Sequence, residues 1–241
     1  MRNFGIIALI TAMLGTIAVA LMLFGARLGL WLPITGFGLY RNYLTPLGAV
    51  IAGLGLLALI VHLLRKETGG SLAGGFALLV GLAALAPMIA TTLNPPLRAA
   101  PIHDITTDTD NPPAFEWLDD TRAGATNTLA YAGADLARAQ AEAYPDIAPI
   151  ETTQPADAAY QRALVVAQDM GWEIIGADAS RRRFEAVAHT SVFYFADDVV
   201  VVVTETNAGS RVDMRSVSRV GRSDQGVNAA RIRDFQERFG A

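Results

Sequence analysis

The chain has 241 residues, of which 52% are hydrophobic and 17% charged, and its formal net charge is −4. Soluble domains average about 25% charged residues, so this composition excludes a fully soluble protein, and it also excludes a disordered one. There is no cysteine, which excludes disulfides, thiolate metal ligands and cysteine nucleophiles. Residues 1–93 hold five basic residues and one acidic residue, whereas residues 94–241 hold 14 arginines and 22 acidic residues.

Three long apolar segments fill the first part of the chain. No charged residue lies between Arg2 and Arg27. At about 1.5 Å per residue, that stretch can cross a hydrocarbon core of about 30 Å. Two more apolar stretches end at the Arg65–Lys66 pair and at Leu93. We predict a membrane anchor over residues 1–93, with transmembrane helices at about residues 4–24, 47–64 and 72–93.

Two features of the anchor allow two interpretations each. The connection from Arg27 to Thr45 is rich in aromatic residues, which favour the headgroup level of a bilayer. It is interpreted as an interfacial loop, with a quinone- or lipid-binding groove as the alternative. His62, near the end of the second span, is interpreted as a neutral interfacial histidine, with proton handling as the alternative.

Three spans place the two chain termini on opposite sides of the membrane. The Arg65–Lys66 pair, in a very short loop, is the best candidate for the cytoplasmic side. Arg2 would share that side, while Arg27, Arg41 and Arg98 would lie on the other. We therefore predict a multi-pass protein of the inner (plasma) membrane whose C-terminal domain is periplasmic or otherwise extracytoplasmic.

Residues 94–121 form a predicted proline-rich linker, because proline pairs favour extended backbone and stop helices. Residues 122–241 form the predicted soluble domain. Apolar residues recur at helical spacing from Pro155 to Gly171 and again over about residues 225–239. Between them lie runs with strand character, at residues 172–177, 183–190, 199–205 and 211–220. This order predicts an α+β fold, with an antiparallel sheet and helices packed on one face.

The most specific stretch begins at Arg215. Strand alternation places Arg215 and Arg219 on one face of the sheet, about 13 Å apart. Guanidinium groups beside a helix N-terminus favour anions. The candidate anion-binding residues are therefore Arg215, Arg219, Ser223 and Asn228. The favoured interpretation, however, is that the two arginines form ion pairs within the sheet, with Asp197, Asp198, Asp213 or Asp224, and the anion site is the alternative.

A second group of polar residues lies close by in the sequence. The candidate polar cluster comprises Asp197, Asp198, Ser216, Ser218 and Asp224. The adjacent aspartates suit cation binding or acid–base work, but a turn with local hydrogen bonds is the favoured interpretation. His103, with nearby aspartates at 104, 108 and 110, has ligand-type side chains in a proline-flanked loop. A solvated or docked loop is favoured there, so no metal site, catalytic residue or cofactor is predicted.

The run RSVSRVGRSDQGVNAARI at residues 215–232, together with Asp197–Asp198 upstream, resembles the signature of domain-of-unknown-function family 1499. That signature has an Arg-Ser-x-Ser-Arg-x-Gly-x-Ser-Asp-x-Gly-x-Asn core, and every fixed position is present here. The resemblance covers about residues 95–240. The family's common Asn-Cys-Val-Ser segment is absent, and residues 102–108 instead resemble a membrane-anchored subgroup. The resemblance implies a domain type and no established activity.

Two functional hypotheses follow. The favoured one is a non-enzymatic envelope protein, anchored in the lipid bilayer, whose soluble domain binds a partner protein or an anionic ligand such as a lipid headgroup. The alternative is a membrane-anchored hydrolase that uses Asp197, Asp198, Arg215 and Arg219. Nucleic acid is excluded as a partner because an acidic domain repels phosphate backbones.

Overall fold

The computed structural model describes residues 3–95 and 99–240. These residues divide into two compact units. The helical unit consists of the described residues up to 95 together with Ser191–Tyr194, and the sheet unit consists of residues 99–190 and 195–240.

The helical unit contains three long apolar helices, as predicted. They are α1 (Phe4–Phe24), α2 (Pro33–Leu64) and α3 (Thr68–Leu93), and each is long and apolar enough to cross a membrane. The second helix begins at Pro33, so most of the predicted interfacial loop is helical. Proline suits the first turn of a helix because its fixed φ matches and its missing N–H needs no partner there. At 32 residues, α2 is about 48 Å long and therefore exceeds the hydrocarbon core.

Glycines set the close packing of α2 against α3. A Cβ at Gly55, Gly74 or Gly81 would collide with the backbone of the facing helix. Burial of apolar surface does not drive helix association within lipid, so small residues that permit close backbone approach supply the packing instead. These glycines therefore define the α2–α3 interface.

His62, near the end of α2, forms hydrogen bonds to α1 and to the α2–α3 connection. It is buried, and its Nε2 accepts a hydrogen bond from the backbone N–H of Gly5 at 3.1 Å. Its Nδ1 lies 2.6 Å from Glu67 Oε2. Because Nε2 accepts, the ring hydrogen of the neutral imidazole lies on Nδ1 and is donated to Glu67. His62 thus connects the first turn of α1 to the short α2–α3 connection.

The sheet unit has the predicted α+β architecture. Its elements in chain order are β1 (Asp104–Thr106), α4 (Ala134–Ala143), β2 (Ile150–Thr152), α5 (Ala156–Asp169), β3 (Glu173–Asp178), β4 (Arg183–His189), β5 (Ala196–Thr206), β6 (Gly209–Ser218) and α6 (Val227–Gly240). The strands form one antiparallel sheet in the order β1-β6-β5-β4-β3, and β2 also pairs with β6. Antiparallel hairpins with helices on a sheet face are typical of this fold class.

The two faces of the sheet are covered differently. On one face, alternate residues such as Val201 and Met214 pack with α5 and α6 in the hydrophobic core, where Trp172 stacks on Phe235 with ring centroids 5.5 Å apart. The connection between β1 and α4, residues 107–133, binds side chains of the opposite face. We call this connection the covering loop.

The covering loop includes much of the segment predicted as a linker. Residues 104–106 pair with Arg215–Val217 as β1, and backbone groups of residues 113–118 bind side chains of the sheet. The prolines do exclude a helix, as reasoned from the sequence, but the same extended backbone is suited to an edge strand. From Asp104 onward, this segment is part of the sheet unit.

Candidate functional site

The stretch singled out from the sequence runs from the end of β6 through a turn into α6. We call residues 215–231 the motif segment. Pairing with β5 directs Arg215 and Arg219 toward the covering loop and Ser216 and Ser218 toward the helices. This is the division of faces that strand alternation predicts.

Arg215 holds β1 and the covering loop on the sheet. It is buried, and its Nε and Nη2 donate to the two carboxylate oxygens of Asp104 at 2.8 and 2.7 Å. Such bidentate pairs are strong and orientation-specific. The guanidinium also donates to the carbonyl oxygens of Pro113 and Leu129. It lies over two aromatic rings, those of Phe115 and Tyr131.

Arg219 shares one buried carboxylate with a second arginine. Asp198 is fully buried, and its Oδ1 accepts from Arg219 Nε at 2.9 Å and from Nη2 at 2.8 Å. Its Oδ2 accepts from Arg122 Nε. Arg219 also donates to the carbonyl of Ala123 at 3.1 Å. Both oxygens of Asp198 are therefore engaged, and both arginines tie the covering loop to the sheet.

A second polar network lies on the helix-facing side. Ser216 Oγ donates to Asn228 Oδ1 at 2.6 Å, and Asn228 Nδ2 donates to Ser218 Oγ at 2.9 Å. Arg231 donates to Asn228 Oδ1 and to Asp197 Oδ2, each at 2.5 Å. This network joins the start of α6 to β5 and β6 through side chains that are almost wholly buried.

The turn into α6 is closed by Ser223 and Asp224. The Asp224 carboxylate accepts from the backbone N–H of Gly226 and of Asn228, both at 2.8 Å. These bonds satisfy amides at the start of the helix that have no partner within it. Ser223 Oγ donates to the carbonyl of Ala100 at 3.0 Å. The turn therefore also holds the chain segment that precedes β1.

The pKa shifts of the acidic residues differ between the helix-facing side of the sheet and the covering loop. Burial raises the pKa of Asp197, although Arg231 and Ser218 act in the opposite direction. In the covering loop, hydrogen bonds from Thr121 lower the pKa of Asp119, and hydrogen bonds from Leu129 and Thr128 lower that of Asp120. Ionisation is therefore opposed at the buried carboxyl and favoured at the two solvent-facing ones.

Sequence reasoning gave no role to Glu185, which is central to the covered face. Glu185 lies on β4 with no exposure, and its carboxylate accepts from the backbone amides of Glu116, Trp117 and Leu118 at 2.5, 3.0 and 2.7 Å. Three amide donors to one carboxylate hold the covering loop at its middle. The sequence feature that could have indicated its role is an acidic residue in the middle of a predicted strand, flanked by Phe184 and Ala186.

Apart from Ser223 and Asp224 in the turn before α6, the predicted site residues thus fall into two networks on opposite faces of the sheet. The first contains Arg215, Arg219 and Asp198, and the second contains Asp197, Ser216, Ser218 and Asn228. Of the aspartates that follow His103, for which a solvated or docked loop was favoured over metal binding, Asp104 pairs with Arg215, and Asp108 pairs with Arg211 at 2.6 Å. Within residues 3–95 and 99–240, no group of three or more histidine or acidic side chains is arranged to hold a metal ion.

A family model described as "Protein of unknown function (DUF1499)" matches residues 104–239. No curated protein matches the chain. The matched span begins at Asp104, the partner of Arg215, and contains β1, the covering loop and the motif segment.

Proposed function

Because this chain belongs to the DUF1499 family and carries three helices able to cross a membrane, we propose that it is an envelope protein of the inner (plasma) membrane. The anchor holds the sheet unit outside the cytoplasm. There, the sheet unit serves as a binding module for a partner protein.

The location outside the cytoplasm is supported by the charges around the spans. The described residues contain three candidate spans, and an odd number of spans places the chain before α1 and the chain after α3 on opposite sides of the membrane. Arg65 and Lys66 form a basic pair in the short α2–α3 connection, and basic residues in short loops favour the cytoplasmic side. The chain that follows α3 then lies on the other side.

A binding role rather than hydrolysis is supported chiefly by the state of Asp198. Both of its oxygens are engaged by arginines and it is fully buried, whereas a catalytic base must reach a substrate atom. The two arginines proposed as an anion site are also bound to carboxylates within the protein, Arg215 to Asp104 and Arg219 to Asp198. This favours a protein partner over a small anionic ligand.

The chemistry of that partner follows from charge. Residues 94–180, which include the covering loop, hold four arginines and fourteen acidic residues. The carboxylates of Asp119 and Asp120 are held ionised at the surface of the loop. Charge complementarity between interfaces steers encounter and suppresses wrong partners, so the partner's contact surface is basic.

Reporter fusions test the proposed location. Alkaline phosphatase, which is active only after export, is expected to be active when fused after Ala100 and inactive when fused after Glu67. A fusion after Leu30, in the α1–α2 connection, is the matched control, and the same topology predicts that it is active. Cytoplasmic behaviour of the fusion after Ala100 would contradict both the orientation and the envelope location.

A further inference from the structure

The segment Ser191–Tyr194 follows β4 and precedes β5 in sequence, yet it groups with the helical unit. The backbone N–H of Phe193 donates to the carbonyl of Leu23 at 2.9 Å. The Phe193 ring packs edge-on against Phe37 and Tyr40, with centroids 5.4 Å away in both cases. These contacts place the segment beside the end of α1 and the start of α2.

The backbone of this segment is strained in a way that its contacts explain. Phe193 and Tyr194 have φ values of 62° and 61°, a left-handed conformation that bulky side chains rarely adopt. Each such residue costs free energy and persists only where the surroundings compensate. Here the compensation comes from the contacts of Phe193 and from Arg27, which lies over the Tyr194 ring at 5.2 Å.

Helix length sets the depth of these contacts in a bilayer. With 21 residues, α1 is about 31 Å long, which matches a hydrocarbon core of about 30 Å. Leu23 is the penultimate residue of α1, so its carbonyl lies at the boundary between hydrocarbon and headgroups. Phe37 and Tyr40 belong to the early turns of α2, which is longer than the core. The backbone N–H of Phe193, which donates to the carbonyl of Leu23, therefore lies at the same boundary.

We propose that residues 191–194 form a membrane-interface element whose partner is the lipid bilayer itself. The rings of Phe193 and Tyr194 lie at the headgroup level, where amphipathic aromatic side chains are favoured. Together with Phe37 and Tyr40 they form an aromatic cluster at one interface. The inference rests on the membrane-spanning part of the proposed function and is independent of the orientation and of any protein partner.

Depth-dependent quenching tests this inference in the full-length protein. The chain has no cysteine, so single substitutions give unique labelling sites. Ser191→Cys is exposed at the segment. The matched control is Ala208→Cys, exposed in the turn after β5. Ala208 follows the far end of β5, a strand of 11 residues that is about 33 Å long. Leu14→Cys, exposed near the middle of α1, reports insertion of the anchor.

Each variant is labelled with a small environment-sensitive fluorophore and reconstituted into phosphatidylcholine vesicles. The vesicles contain lipids spin-labelled either at the headgroup or deep in the acyl chain. We expect headgroup-level quenching of the label at residue 191 to be at least twofold stronger than at residue 208, and acyl-chain quenching at residue 14.

Two results would overturn the inference, and they are distinguishable. If residue 14 is quenched but residues 191 and 208 are quenched equally, the interface element is wrong while the anchor stands. If residue 14 is not quenched by acyl-chain labels, the helices do not span the bilayer, and the proposed function fails together with the inference.

Discussion

Replacing Arg215 with alanine is expected to lower the free energy of unfolding of the sheet unit by about 3–5 kcal/mol, the cost of leaving a buried charge without its partner. Asp104 is the charge left behind, because it is almost fully buried and is bound by two nitrogens of Arg215. The change also removes the donors to the carbonyls of Pro113 and Leu129. β1 and the covering loop therefore lose their common attachment.

Urea unfolding of the full-length protein in detergent micelles measures this effect. In a Trp31→Phe background, the two remaining tryptophans, Trp117 and Trp172, both belong to the sheet unit, so their fluorescence follows its unfolding. Arg222→Ala removes an exposed arginine of the same segment and is expected to change stability by no more than about 0.5 kcal/mol. Equal midpoints for the two variants would contradict the role assigned to Arg215.

Replacing Glu185 with glutamine is expected to destabilise the sheet unit by about 3 kcal/mol, since hydrogen bonds to charged groups contribute about 1.5–3 kcal/mol each. The glutamine amide keeps one acceptor oxygen, whereas the carboxylate binds three backbone N–H groups of residues 116–118. The substituted NH₂ group would face donors rather than acceptors. We expect the middle of the covering loop to detach first.

Hydrogen exchange distinguishes this local detachment from a general loss of stability. Amides of residues 116–118 are expected to exchange faster in Glu185→Gln than amides in the middle of β5. Glu205→Gln, an exposed carboxylate on β5, serves as the control and is expected to leave both sets of amides unchanged. If the two regions of Glu185→Gln exchange at the wild-type rate, Glu185 does not hold the loop.

The architecture could be predicted from the sequence because it depends on local patterns. Long uncharged stretches predict spans through their summed hydropathy, and alternating or β-branched runs predict strands. The three apolar helices and the antiparallel sheet are confirmed. The resemblance at residues 215–232 is confirmed at the level of the family, whose model matches residues 104–239.

The partners in the charged networks could not be predicted in the same way. Arg215 pairs with Asp104, 111 positions earlier in the chain, and Asp198 pairs with Arg122 as well as Arg219. No periodicity links residues so far apart in sequence. Local reasoning offered Asp198 among the partners of the two arginines, and Arg219 does pair with it. It did not offer Asp104, because residues 94–121 were predicted as a linker.

The fold of the covering loop was missed for a related reason. Proline-rich sequence predicts extended backbone correctly, but the sequence does not show what an extended segment lies against. The amides of residues 116–118 are satisfied by Glu185, so a segment without a helix or strand pattern is nevertheless fixed. Its order depends on charged side chains of distant strands as well as on hydrogen bonds within the loop itself.

If the motif segment holds the sheet unit together, Arg219→Ala in the Trp31→Phe background unfolds at a lower urea concentration than the protein with Arg219 intact. Because Asp198 is fully buried and would keep only Arg122 as an ion-pair partner, we expect a lower midpoint and a loss of about 2–3 kcal/mol in the free energy of unfolding. An unchanged midpoint would contradict the claim, and it would identify Arg219 as a residue available to bind an anion.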